Sequence, residues 1–166
     1  MVTVRQDGSP THRLVVGVLV WDDAGRVLLL RPLDVREPGL PGGPIDPGES
    51  PARAGVRRVA EATGQQVQLG LLLVVEHVDA HGDAPPGVHL VFDSTPSVAH
   101  SAPVLHASET VEAQWLTPFD AVRRHGSRGR ARISAAFAAR RIGTTRYLDS
   151  DTVRHDRPRA TPGLSV

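Results

Sequence analysis

Apolar residues in this chain fall in short runs separated by turn-forming residues. Residues 13–21 (RLVVGVLVW) and 26–31 (RVLLLR) are strongly apolar, with Asp22-Asp23-Ala24-Gly25 between them. Aliphatic runs of this length, broken by Asp and Gly, predict two strands joined as a hairpin. Their continuous rather than alternating character predicts a sheet covered on both faces. Further strands are predicted over 66–78 and 87–94, with AHGDAPP turning between them, then a short one over Val111–Leu116 and an edge strand over Thr144–Leu148. The Pro- and Gly-rich stretch 32–49 and the stretch 95–108 read as loops.

Helical signals interrupt this pattern. Ser50 followed by Pro51 is a start signal, an N-cap hydroxyl before a proline at the first helical position. The helix is predicted to run through Thr63 and stop at Gly64, with Ala52, Val56, Val59 and Thr63 as its apolar face. Thr117-Pro118 opens a second helix ending near His125, and Arg130–Arg141 gives an amphipathic third built on Ile133, Ala136 and Phe137. Strands mixed with helices in this order predict a three-layer α/β/α arrangement around a mixed sheet. The domain is expected over 13–148, between a flexible N-terminal arm (1–12) and a flexible C-terminal tail (149–166).

Composition narrows the function classes. The 166 residues are 40% hydrophobic and 22% charged, in the range of an ordinary globular domain with a real core. A formal net charge of +1 gives no bulk attraction to nucleic acid or to an anionic membrane. All 19 Lys+Arg residues are Arg, and the absence of Cys excludes disulfides, thiolate catalysis and Cys-ligated zinc. The longest apolar stretches, Leu14–Trp21 and Leu69–Val75, fall well short of the roughly 20 residues a membrane-spanning helix needs. The first residues, MVTVRQDGSP, lack the apolar core of a signal peptide, so a cytoplasmic protein is expected.

The chemistry concentrates in LPGGPIDPGESPARAGVRRVAEATGQ, residues 40–65, a Gly-rich loop that feeds the first helix. Gly42 and Gly43 let backbone approach a ligand closely, and such a loop can offer a carbonyl to a metal or amides to a phosphate. Arg58, Glu61 and Ala62 share one helix face, and Arg57 lies four residues before Glu61.

This segment resembles the Nudix box, G-x5-E-x7-R-E-U-x-E-E-x-G-U, where U is a bulky aliphatic residue. Gly43, Glu49, Arg57, Val59, Glu61 and Gly64 stand at matching positions, preceded by the typical LPGG and containing the typical PGES. The likeness extends over roughly 13–148 and includes SETVEAQWLTP (Ser108–Pro118), similar to a family stretch with a Glu some residues before a Trp. Three positions depart from the pattern: Arg58 and Ala62 stand where glutamates are expected, and Gln65 where an aliphatic is expected. In the family, glutamates on this helix face bind Mg²⁺ or Mn²⁺, and one of them, or a Glu from a later loop, activates water. The resemblance therefore implies Glu61 and the Gly43 carbonyl as the remaining metal ligands, and Glu61 or Glu109 as the catalytic carboxylate. It implies a structural ion pair between Glu49 and Arg57. Arg58, with Gly42 and Gly43, is expected to meet a phosphate-containing small molecule. Two like unit charges about 4 Å apart repel by about 4 kcal/mol at an effective dielectric near 20, so Arg58 predicts weak affinity for free Mg²⁺. The implied activity is hydrolysis of a nucleoside diphosphate linked to another moiety, with weakened metal-dependent activity. The alternative is a non-hydrolytic enzyme of the same fold, or a nucleotide- or metabolite-binding module.

Other titratable groups admit two readings each. His77, beside Glu76, and His89 on the neighbouring strand could pair across the sheet as an acid–base or metal site, or be satisfied strand histidines. His100 and His106, near Glu109, stand the same way. Arg123, Arg124, Arg128, Arg130 and Arg132 could draw in an anion or form a solvated helix face.

Overall fold

The first apolar run forms strand β1 (Arg13–Leu19) and the second β2 (Val27–Pro32). The Gly-rich loop contributes a three-residue strand, β3 (Gly42–Pro44), which the sequence pattern did not predict. Helix α1 (Pro51–Thr63), strands β4 (Leu69–Val78), β5 (Gly87–Ser94) and β6 (Thr110–Leu116), helices α2 (Pro118–Arg124) and α3 (Ser127–Ile142), and strand β7 (Arg146–Leu148) follow. These elements come from a computed structural model, which describes residues 11–33, 36–95 and 110–149. Among the described residues no helix is long and apolar enough to cross a membrane.

The main sheet has five strands in the order β3-β1-β5-β4-β7 and is mixed. β1 runs parallel to β5 and antiparallel to β3, whereas β4 runs antiparallel to β5 and parallel to β7. The expected hairpin between β1 and β2 forms only at its tip. Asp22 N donates to Arg26 O at 3.0 Å and Leu28 N donates to Val20 O at 2.9 Å. Beyond that the strands part, because both edges of β1 are already taken by β3 and β5. β2 instead pairs with β6, in a register running from Val27↔Leu116 to Pro32↔Thr110.

The continuous apolar runs serve two cores. Val18, Val20, Leu28 and Leu30 pack with Val59 of α1 and with Val67. The alternate residues Leu19, Val27 and Leu29 pack with Leu73, Val74, Val91 and with Ile133, Ala136 and Ala139 of α3. Successive strand residues point to opposite faces, so a strand with helices on both sides is apolar throughout.

Helix α1 follows its start and stop signals. Ser50 Oγ accepts from Arg53 N at 3.3 Å, and Gly64, left-handed at φ 67°, closes the C-terminus with its N–H on Ala60 O. Its buried face is Ala54, Gly55, Val59 and Thr63, so the expected face is corrected: Ala52 is exposed and Val56 only half-buried. Gly55 explains the rotation. A Cβ there would lie 3.2 Å from Leu69 Cδ1 and 3.3 Å from Val18 Cγ2, so a bare backbone lets the helix settle directly on the sheet. Helix α3 begins at Ser127, before the expected Arg130.

Candidate functional site

Two groups of charged and polar side chains meet at β3. The first is the corner where β3 and the loop after it face α1. Gly42 and Gly43 pair with Gly17 and Val16 of β1. A Cβ on Gly42 would come within 2.0 Å of Val16 O, so only glycine fits there. A Cβ on Gly43 would meet Arg58 Nε at 3.2 Å, so the Arg58 side chain lies directly against bare backbone.

The arginines at 57 and 58 gather the surrounding oxygens. Arg57 forks onto Glu49, with Nε to Oε1 at 2.9 Å and Nη2 to Oε2 at 2.6 Å. It also reaches Glu61 Oε1 at 2.9 Å and Asp46 Oδ2 at 3.0 Å. Arg58 donates from Nε to Pro44 O at 3.0 Å, from Nη1 to Glu61 Oε2 at 3.3 Å and from Nη2 to Asp46 Oδ1 at 3.5 Å. The structure thus brings together Gly43, Glu49, Arg57, Arg58 and Glu61, and adds Asp46 and the Pro44 carbonyl, which the sequence did not single out. The Arg57 hydrogen bonds hold the Glu49 carboxyl at about 2, below its ordinary 4.5. Glu49 and then Glu61 in turn raise Arg57 further above its ordinary range.

The corner's donors do not fit a divalent ion as they stand. Magnesium takes oxygen ligands in near-octahedral geometry. Here Pro44 O, Asp46 and Glu61 are all engaged by guanidinium groups. Among the described residues no group of three or more His, Asp or Glu is arranged to hold a metal. Glu109, His100 and His106 lie outside the described residues.

The second group lines a cleft of about 440 Å³ between the β1–β5 face and α3. Its walls include Leu40, Gly43, His89, His125, Arg132 and Ile133. Glu76 of β4 is buried at 3% exposure, and Arg132 Nε donates to its Oε2. His89 stands opposite Glu76 in the strand register. Burial first, then the positive charges of Arg132 and Arg13, bring the His89 pKa down to about 4 from 6.5, so its imidazole is neutral near pH 7. His125 Nδ1 lies 2.7 Å from Ala121 O, an acceptor, so Nδ1 carries a proton and donates it there. At the rim, Glu37 Oε2 accepts from Gly126 N at 2.9 Å, just before the first residue of α3.

The structure decides between the readings left open for two of the titratable groups. His77 does not pair with His89: His77 stands opposite Val88, and its side chain leaves from the other face. It lies 5.7 Å from the His12 ring and 3.7 Å from Asp79 Oδ1. Arg132 is not part of a solvated face but turns into the cleft. The sequence did carry one signal for this pair. A Glu inside the apolar run LLLVVEHV, on a strand covered from both sides, requires a cationic or hydrogen-bonding partner.

Gly43 joins the two groups, because it lines the cleft and also lies beneath Arg58. A ligand seated in the cleft would end beside the corner.

The sequence profile of the NUDIX domain matches residues 11–137. The chain is 32% identical over 101 residues to a provisionally assigned 8-oxo-dGTP diphosphatase of Bacillus subtilis (strain 168), a match covering 61% of this chain and 64% of that protein. It is 36% identical over 110 residues to a MutT-like protein of Streptomyces ambofaciens, covering 66% of each. These matches span just under two thirds of each relative's length. Among solved structures, a MutT protein from Methanosarcina mazei Go1 superposes with a TM-score of 0.66 at 22% identity, over 80% of this chain and 95% of that one. That likeness is one of fold.

Proposed function

The chain belongs to the Nudix family, and on that premise we propose that it acts on a nucleoside diphosphate linked to a further moiety, with metal-dependent hydrolysis weakened. The observation that carries this reading is the wall shared by cleft and corner: Gly43 borders the cleft on one side and Arg58 on the other. One moiety of the ligand sits in the cleft against Leu40, Ile133 and the neutral His89. Its diphosphate reaches the backbone of Gly42 and Gly43 and the guanidinium of Arg58. Such sites are mostly apolar with a few placed polar groups, as this one is. Relatives and fold neighbours support the ligand class: one curated relative carries a diphosphatase name, and a UDP-X diphosphatase and an Ap4A hydrolase of C. elegans share the fold.

The catalytic carboxylates in this proposal are Glu61 and Glu109, with Glu61 and the Gly43 carbonyl left from the family's metal ligands. Glu61 already accepts from Arg57 and Arg58, so its oxygens are engaged before any substrate arrives. That engagement weakens turnover. It also favours a second reading, a protein that binds the same ligand class without hydrolysing it.

The test is a hydrolysis assay against nucleoside diphosphate-linked compounds, with Mg²⁺ or Mn²⁺, for the wild type and for Arg58→Glu/Ala62→Glu. That double substitution puts carboxylates at 58, 61 and 62 on one helix face. The expected result is slow turnover by the wild type and an increase of about tenfold or more in the variant, equivalent to about 1.4 kcal/mol of barrier. Fast wild-type turnover that the double substitution leaves unchanged would overturn the reading.

A further inference from the structure

The corner presents the kind of oxygen set that a divalent ion takes, and a side chain holds it. The Arg58 guanidinium contacts a backbone carbonyl, Pro44 O, and two carboxylates, Asp46 and Glu61, which come from β3, the loop after it and α1. The cation is the inner member of the group: the Arg58 side chain is 25% exposed, against 58% for Asp46 and 46% for Glu61. Its stem is seated as well, since Arg58 Cδ would lie 3.3 Å from a Cβ on Gly43.

We propose that the Arg58 guanidinium is the resident cation of this corner, fixing β3 to α1 through the oxygens that a divalent ion would otherwise take and so excluding that ion. Three properties support this. A guanidinium stays protonated at any physiological pH, so the site is never without its charge. It is tethered to the chain, so a free ion competes against a cation that cannot diffuse away. A divalent ion entering beside it would meet a like charge at close range, with Arg57 adding a second on the same Glu61 carboxylate. The inference deepens the proposed function only in the identity of the cation that a diphosphate meets. If it fails, the ligand class argued above still stands.

The experiment is a Mn²⁺ titration of the full chain, read as loss of the free-ion electron paramagnetic resonance signal. It is run on the wild type, Arg58→Gln, Arg58→Lys and Arg58→Gln/Glu61→Gln. Gln keeps a polar stem but removes the charge, and Lys keeps the charge. Arg58→Gln should bind Mn²⁺ at least about tenfold more tightly than the wild type. Arg58→Lys should stay close to the wild type, and the double variant should lose the gain. A second readout follows by linkage: Mn²⁺ should raise the melting temperature of Arg58→Gln and leave that of the wild type unmoved. Wild-type binding as tight as that of Arg58→Gln would overturn the proposal, and so would a neutral variant that gains no affinity.

Discussion

The corner and the cleft lie on either side of Gly43, and both are built from arginine and glutamate. At the corner, Arg57 and Arg58 face Asp46, Glu49 and Glu61 in a network of several contacts, with Asp46 and Glu61 about half exposed. In the cleft a single pair, Arg132 with Glu76, sits where the Glu76 side chain is only 4% exposed. Counting contacts would make the corner the stronger feature. Solvent reverses that order, because exposed ion pairs contribute about 0–1 kcal/mol whereas breaking a buried pair costs about 3–5 kcal/mol. The Arg132–Glu76 pair therefore outweighs the contacts of Arg58 to Asp46 and Glu61, with the Arg57–Glu49 pair, whose side chains are 29% and 17% exposed, between them.

Substitutions sharpen that contrast, starting with the largest effect. Arg132→Ala strands the Glu76 carboxylate in the interior and should cost about 3–5 kcal/mol, read from denaturant or thermal unfolding. A loss no larger than that of an exposed residue would mean that water reaches Glu76. Acid should next separate the regions by pH. His89 takes a proton near 6.5 when unfolded but only near 4 when folded, so acidification through that window favours unfolding. Glu49 is depressed to about 2 from 4.5, so its contribution is present above 4.5 and is lost as the pH falls toward 2. A stability–pH profile should show both steps, with His89→Gln removing the upper one and Glu49→Gln the lower. Loss of the wrong step in either variant would break the assignment. The smallest effect belongs to Arg58→Gln, whose partners are the most exposed: under about 1 kcal/mol in the absence of added metal. A loss comparable to that of Arg132→Ala would mean that the corner is structural after all.

The sequence made some of this legible because the signals were local. Ser50, Pro51 and Gly64 set the limits of α1 within the segment itself, and the spacing of Gly43, Glu49, Arg57 and Glu61 pointed to one loop–helix unit. What escaped depended on partners far along the chain. Adjacency in sequence predicts β2 beside β1, yet its ladder is completed by β6. Helical spacing places Arg132 in a basic cluster and does not reveal its carboxylate partner on β4. The buried face of α1 differs because Gly55, a weak helix residue, lies where a Cβ would press on Leu69, Val18 and Val16.

On the proposed function, cleft and corner receive two ends of one ligand. Titrating the isotope-labelled full chain with adenosine diphosphate ribose, in chelator, tests it by nuclear magnetic resonance. The signals to follow are the His89 ring in the cleft, the Gly43 amide between the regions and the Arg58 Nε–H at the corner. All three should shift along a single binding curve without added metal. Movement of His89 alone, with Gly43 and Arg58 unchanged at saturation, would contradict it.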